Sequence, residues 1–165
     1  MIVEIAVDMD GVLSDFKKKY REIFKVDPEE DYNTTDKTRK VAHQRRFHQF
    51  IEDGHFEHLE PMPDLQLGLE FLSSLDIPIY ILTSVAREEY MHSLSSQKRK
   101  WLKQYNIQYN PVFVPGKRIK CYYAKPNKVL IDDTKSNIDD WNINSGIGIH
   151  HKSWEQSINT LKEYL

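Results

Sequence analysis

The sequence predicts an α/β domain with a parallel sheet of about five strands and a small helical insert placed after the first strand. Three observations carry this prediction. Short apolar runs rich in β-branched residues recur at 2–7, 77–82, 111–114 and 129–131, with a weaker fifth at 146–149, which is how strands buried on both faces read. Stretches with helical period lie between them, at 64–75, 86–105, 135–142 and from 153 to the last residue, and such alternation argues for parallel strands. From 15 to 61 the alternation stops, and about two helical patterns replace it.

Taken in order, the first run ends abruptly in Asp8-Met9-Asp10-Gly11. In the insert, Phe16, Tyr20, Ile23 and Phe24 make one apolar face, interleaved with Lys17, Lys18, Lys19 and Arg21; Val41, Phe47, Phe50 and Ile51 make a second, looser one. Residues 27–36 between them are acidic and turn-rich, and Pro61-Met62-Pro63 punctuates the return to the sheet. Leu65, Leu69, Phe71 and Leu72 then give the next helix its apolar face. The expected division is 1–14 with 62–165 for the sheet domain and 15–61 for the insert.

The 165 residues fit one ordinary domain, and 39% hydrophobic content supplies a core. Lys plus Arg number 23 against 25 Asp plus Glu, a net charge of −2 that excludes a generic polyanion binder with a basic body. One cysteine, Cys121, excludes a disulfide scaffold and points to a reducing compartment. No run approaches the length of a membrane span, and the first residues lack a signal peptide's basic start, so a soluble cytoplasmic protein is expected. Asn33-Thr34-Thr35 matches a glycosylation sequon that this expectation makes accidental.

Two acidic pairs follow apolar strands, Asp8 with Asp10 and Asp132 with Asp133. Ligands of open α/β sheets sit at the carboxyl ends of the strands, so parallel strands bring both pairs to one edge. Clustered carboxylates repel unless a cation is present, and hard oxygen donors suit Mg²⁺ serving a phosphate. Asp is also a good helix N-cap, but one edge holding two pairs needs a common compensating charge. The run 79–82 ends in Thr83-Ser84, which puts hydroxyls on that edge, either toward a phosphate oxygen or as a helix cap. Lys117-Arg118-Ile119-Lys120 brings cations, or simply a solvated loop. His55 and His58 have no HExxH or cysteine partner, so zinc is not expected.

Asp8-Met9-Asp10-Gly11-Val12-Leu13, then Ile81-Leu82-Thr83-Ser84, a lysine, and Leu130-Ile131-Asp132-Asp133 resemble the four motifs of the haloacid-dehalogenase (HAD) phosphohydrolases. The stretch 8–16 and Leu59-Glu60-Pro61-Met62-Pro63 resemble the 5′(3′)-deoxyribonucleotidase branch, and Asn137-Ile138, Trp141 and Gly146-Ile147-Gly148-Ile149-His150 look like its small phage-type members. The resemblance implies a Rossmann-like three-layer core with a helical cap. It implies that Asp8 is a nucleophile forming an aspartyl-phosphate, that Asp10 is the acid and base, and that Thr83 and Ser84 bind the phosphoryl group. Mg²⁺ would be held by Asp8, the Asp10 carbonyl, Asp132 and Asp133. Lys120 best matches the third-motif lysine, with Lys117 and Lys125 as alternatives. Phe16 and Phe56 either wall a base pocket or are core of the cap. The partner implied is a small phosphate monoester, a (deoxy)nucleoside monophosphate; no membrane is involved, and no oligomeric state is implied.

Two other readings use the same edge. A nucleic-acid end phosphatase would track its substrate along Lys17 to Lys19 and Arg45-Arg46. A phosphoacceptor signalling domain, or a silent nucleotide-binding relative, would need no hydrolysis. The first of that pair carries its acid pair early and its hydroxyl and lysine on later strands; the acid pair after Thr83-Ser84 and the insert count against it.

Overall fold

The computed structural model describes residues 1–32 and 34–165, the side chain of Tyr32 excepted, so the sequon at Asn33 lies outside the described residues. Five strands form one parallel sheet: β1 (Glu4–Val7), β2 (Ile79–Ser84), β3 (Asn110–Val114), β4 (Lys128–Asp132) and β5 (Ile147–His150), in the order β3-β2-β1-β4-β5. The three inner strands are the most buried, because a strand paired on both sides and covered on both faces has no edge to give to water. Val7 lies opposite both Ile81 and Ile131. That register sets Asp8 level with Asp132, the last residue of β4. The crossing from β1 to β2 runs to one side and β4 lies on the other, so the sheet's topological switch point falls at the end of β1.

Alternation along the strands divides the core. Ile5, Val7, Ile81, Val129, Ile131 and Ile149 face one side with Trp101 and Trp154; Ala6, Leu82, Leu130 and Val114 face the other with Ile138 and Trp141. The helices α1 (Phe16–Phe24), α2 (Pro28–Tyr32), α3 (Lys37–Glu52), α4 (Leu65–Ser73), α5 (Met91–Gln104), α6 (Lys135–Ile143) and α7 (Trp154–Lys162) complete the chain. The stretch after β2 does not become helical at 86 as its period predicts. Ser84 Oγ accepts from the Ala86 amide at 3.0 Å and Ala86 sits at φ 64°, so the chain turns before α5 begins. The connection holding Lys117 to Tyr123 is a 3-10 turn, which with α6 covers the second face.

Among the described residues the insert contains three α-helices and a 3-10 turn at His55–His58, where periodicity indicates about two helices. The extra one is α2, too short to show a period; Pro28 starts it, and Asp27 accepts from the Glu29 amide at 2.9 Å. Asp15 and Asp36 cap α1 and α3 by accepting from Lys18 N and Thr38 N. Its two arms leave and return side by side: Asp15 N donates to Glu60 O and Met62 N to Leu13 O, both at 2.8 Å. Phe16, Tyr20, Phe50 and Phe56 join the same apolar cluster as Ile5 and Val7. Insert and sheet therefore share one core. Within the insert, buried Asp31 accepts from Arg46 and, at 3.3 Å, from Arg39, which ties α2 to α3. No described helix is long and apolar enough to cross a membrane.

Candidate active site at the strand edge

Four segments meet at the carboxyl edge of the sheet. The first is the exit from β1. Asp8 N donates to Ile131 O at 2.9 Å, and the chain then folds tightly, with Leu13 N and Ser14 N reaching back to Met9 O. Gly11 makes this possible at φ 86°. A Cβ there would lie 2.2 Å from Asp133 Oδ2, so the absent side chain is what lets the second acidic pair approach the first.

Asp8, Asp132 and Asp133 each offer a carboxylate oxygen within 4.8 Å of the others. Lys120 Nζ stands among them, 2.7 Å from Asp8 Oδ1 and 2.7 Å from Asp132 Oδ2, with only 2% of its side chain exposed. Asp132 is further fixed by Thr134 N (2.8 Å, to Oδ1) and Asn137 Nδ2 (2.9 Å, to Oδ2). Lys120, with Lys17 3.6 Å from the partly buried Asp133, still leaves three carboxylates one positive charge short. Burial, reinforced by Asp132 and only partly offset by Lys120, pushes Asp8 up to about 8. Burial and Asp132 likewise push Asp133 up to about 6, with Lys17 and Lys120 opposing. Burial works against the Lys120 charge, yet Asp132 and Asp8 outweigh it and hold the ammonium above the ordinary lysine value. A cluster of oxygen donors short of positive charge, with room made by a glycine, fits a hard divalent cation.

Asp10 is placed differently. Its Oδ1 accepts from Ser14 Oγ at 3.1 Å and its Oδ2 from Lys98 Nζ at 2.6 Å, so its side chain turns away from the carboxylate triad and its main-chain carbonyl is what it could offer a metal. Lys98 also donates to Thr83 Oγ1 at 2.7 Å and to Ser84 O at 2.9 Å. None of the sequence motifs singles out Lys98. A signal is nonetheless present: Leu94, Lys98, Trp101 and Leu102 share one face of α5, all four are buried, and a lysine on an apolar stripe needs a partner. Asn137, at the first turn of α6, belongs to the stretch that resembles the phage-type members, but no role is expected of it from the sequence.

These groups line a cavity of about 700 Å³ with Phe16, Lys17, Glu29, Phe47, Phe56 and Lys117 also on its walls. Lys117 is exposed at the mouth, and Lys120, not Lys117, reaches the carboxylates. Lys125 is not among the cavity's lining residues. Phe16 and Phe56 stack on one another, centroids 5.5 Å apart and planes at 5°, and both are buried. Phe47 packs edge-on against each and is the more open ring. Lys17 pairs with Glu29 and lies 3.6 Å from Asp133 Oδ2, joining insert to sheet across the mouth.

A family model described as 5′ nucleotidase, deoxy (pyrimidine), cytosolic type C, matches residues 1–159. No curated protein matches the sequence significantly. Among solved structures, a hydrolase from Pseudomonas syringae is similar with a TM-score of 0.61 and 13% identity, over 99% of each chain. A haloacid dehalogenase-like family protein from Streptococcus pneumoniae is similar with a TM-score of 0.57 and 14% identity, again over 99% of each chain. At such identities these two speak for the fold, a Rossmann-like α/β sheet of the HAD hydrolases, while the family match spans nearly the whole sequence. The chain belongs to the cytosolic type C 5′-(deoxy)nucleotidase family of HAD-like hydrolases, and is a phosphatase of the nucleotidase kind.

Proposed function

We propose that the protein is a Mg²⁺-dependent phosphomonoesterase that passes through an aspartyl-phosphate and dephosphorylates (deoxy)nucleoside monophosphates in the cytoplasm. The observation that carries this is Lys120 bridging Asp8 and Asp132 beside a carboxylate triad, with a held acid, Asp10, on the other side. Asp8 attacks phosphorus in line; the ester oxygen leaves with a proton from Asp10; Asp10 then takes a proton from the water that attacks the phosphoaspartate and frees Asp8. Thr83 and Lys120 meet charge that develops on the phosphoryl oxygens. Asp8, Asp132, Asp133 and the Asp10 carbonyl would hold Mg²⁺, which when bound supplies charge neutralisation between carboxylates and phosphate.

For the substrate, a cavity of about 700 Å³ lies within the range of about 300–1,000 Å³ usual for small-molecule sites. The family description names pyrimidine deoxynucleotides. Phe47, backed by the stacked Phe16 and Phe56, is the ring a base would meet. The polynucleotide reading loses most of its strip: Lys17 pairs with Glu29, Lys18 with Glu60 and Arg46 with Asp31. The test is kcat/KM for dUMP, dTMP, UMP and a 3′-phosphorylated oligonucleotide at two salt concentrations. The mononucleotides should be preferred with a shallow salt response. Preference for the oligonucleotide, weakened steeply by salt, would overturn the substrate assignment.

Gly11→Ala tests the metal site. The new methyl must displace the Asp133 carboxylate at a φ that L residues rarely adopt, and the Mg²⁺ concentration for half-maximal activity should rise about 10–100-fold, as when a metal site's supporting shell is disturbed. An unchanged Mg²⁺ requirement would show that Asp133 is not a metal-holding group.

A further inference from the structure

We propose that Lys98 is a positioning residue that aims the Asp10 carboxyl at the leaving group and turns the Thr83 hydroxyl proton toward the substrate, without itself binding the phosphoryl group. This rests on the phosphomonoesterase reading and adds a residue which that mechanism leaves unused.

An ammonium has three N–H donors. Lys98 engages all three inside the protein, with Asp10 Oδ2 (2.6 Å), Thr83 Oγ1 (2.7 Å) and the Ser84 carbonyl (2.9 Å). Its side chain is 0% exposed, and the Phe56 ring lies 5.5 Å from Nζ on a further side. A phosphoryl oxygen could reach Nζ only by displacing one of those acceptors.

Two consequences follow for the neighbours. A hydroxyl has one proton, and Thr83 Oγ1 accepts from Lys98, so that proton is directed elsewhere, and Thr83 lines the cavity. Asp10 is gripped on both oxygens, by Ser14 and by Lys98, which fixes the plane of its carboxyl. In the first half-reaction the Asp8–P bond forms, the P–O ester bond breaks, and the Asp10 proton ends on the departing oxygen. In the second, the water oxygen bonds to phosphorus, the Asp8–P bond breaks, and the water proton returns to Asp10. Both transfers depend on where Asp10 points. Lys98 comes from α5, whose preceding residue Gln97 donates to Ile51 O at 2.8 Å and accepts from Phe56 N at 3.1 Å. One turn of helix thus anchors both the returning arm of the insert and the aim of the acid.

The experiment compares p-nitrophenyl phosphate, whose leaving group needs little protonation, with dUMP, an alkyl ester, in wild type and Lys98→Met. Inorganic phosphate serves as a competitive probe. General acid catalysis is worth about 10²–10⁴-fold, so kcat/KM for dUMP should fall at least about 100-fold more than for p-nitrophenyl phosphate. The inhibition constant of phosphate should stay within about threefold, since Lys98 itself makes no contact to the phosphoryl group and the Thr83 hydroxyl, though no longer oriented by Lys98, keeps its place. On dUMP the Lys98→Met/Asp10→Asn double variant should be worse than Asp10→Asn only by the small loss that p-nitrophenyl phosphate also shows through Thr83, well short of the product of the two single losses. Equal losses on both esters with a raised phosphate inhibition constant would overturn the proposal in favour of direct phosphate binding. Additive losses in the double variant would overturn it as well. If Lys98→Met does not fold, Lys98→Gln, which keeps one donor for Asp10 but lacks the other two contacts, is put through the same comparison: a smaller loss that still falls more on dUMP than on p-nitrophenyl phosphate is expected, and equal losses on both esters would overturn the proposal. A wild type that hydrolyses neither ester would refute the phosphomonoesterase reading itself, a result distinct from any of these.

Discussion

Asp8→Asn is expected to lower kcat/KM for every phosphate monoester by about 10⁴-fold or more, as loss of a nucleophile does, while the metal-free protein stays at least as stable as wild type. The second half follows from the electrostatics. Asp8 is a carboxylate that burial and its acidic neighbours push up to about 8, so keeping it ionised at neutral pH costs the folded protein stability. An amide of the same shape removes one of three crowded charges and keeps an oxygen for Lys120. Linkage gives the sign: an acid whose folded value is raised makes the folded state bind more protons than the unfolded one. Stability from this group is therefore lost as pH rises from the ordinary carboxylate range toward about 8. The variant should lack that loss. Thermal melts of both proteins without Mg²⁺, beside assays on p-nitrophenyl phosphate, check the two halves together. Substantial turnover by Asp8→Asn, free of contaminating phosphatase, would sink the nucleophile assignment.

Lys120→Met is the second large effect, and it runs the other way for stability. Removing the ammonium leaves Asp8 and Asp132 buried without their common partner, and breaking a buried pair in this way costs about 3–5 kcal/mol. Activity should fall with it, because in the proposed mechanism the same ammonium would meet charge on the phosphoryl oxygens. The double variant Asp8→Asn/Lys120→Met separates the charge effect from lost packing. With one carboxylate gone there is less unpaired charge, and the two substitutions should couple by more than about 1 kcal/mol in denaturant unfolding, within the range for contacting residues. A Lys120→Met protein as stable as wild type would mean that the buried pair contributes nothing at this site.

The sequence by itself determined the strands and the chemical character of their ends. A buried strand must be apolar over its whole length, so the acids that stop β1 and β4 and the hydroxyls that end β2 stand out from a local pattern. Parallel topology, itself legible in the alternation of strands and helices, then puts Asp8, Asp10, Thr83, Asp132 and Asp133 on one edge. Lys120 could be chosen by resemblance, but its charge run Lys117-Arg118-Ile119-Lys120 looks the same whichever lysine turns inward. The 3-10 turn, by burying Lys120 and exposing Lys117, made that choice. The insert's aromatics could be counted but not placed. Packing puts Phe16, Phe47 and Phe56 all on the cavity wall, with Phe16 stacked on Phe56 and Phe47 the more open ring.

Lys98 and Gln97 were decided only by tertiary structure. On α5 alone the apolar stripe marks Lys98 as needing a partner but not which one, and what brings Lys98 to the site and makes Gln97 an anchor for the insert is contact across 88 residues to Asp10 and 46 residues to Ile51. Such pairings depend on where two elements come to rest against each other, and local periodicity carries no record of it. The geometry of the carboxylate triad is of the same kind. Two acidic pairs are legible in the chain, but that Gly11 has left room for Asp133, and that Asp10 turns to Lys98 instead of joining the triad, follows from steric and hydrogen-bonding constraints that exist only once β1, β4 and α5 are packed together.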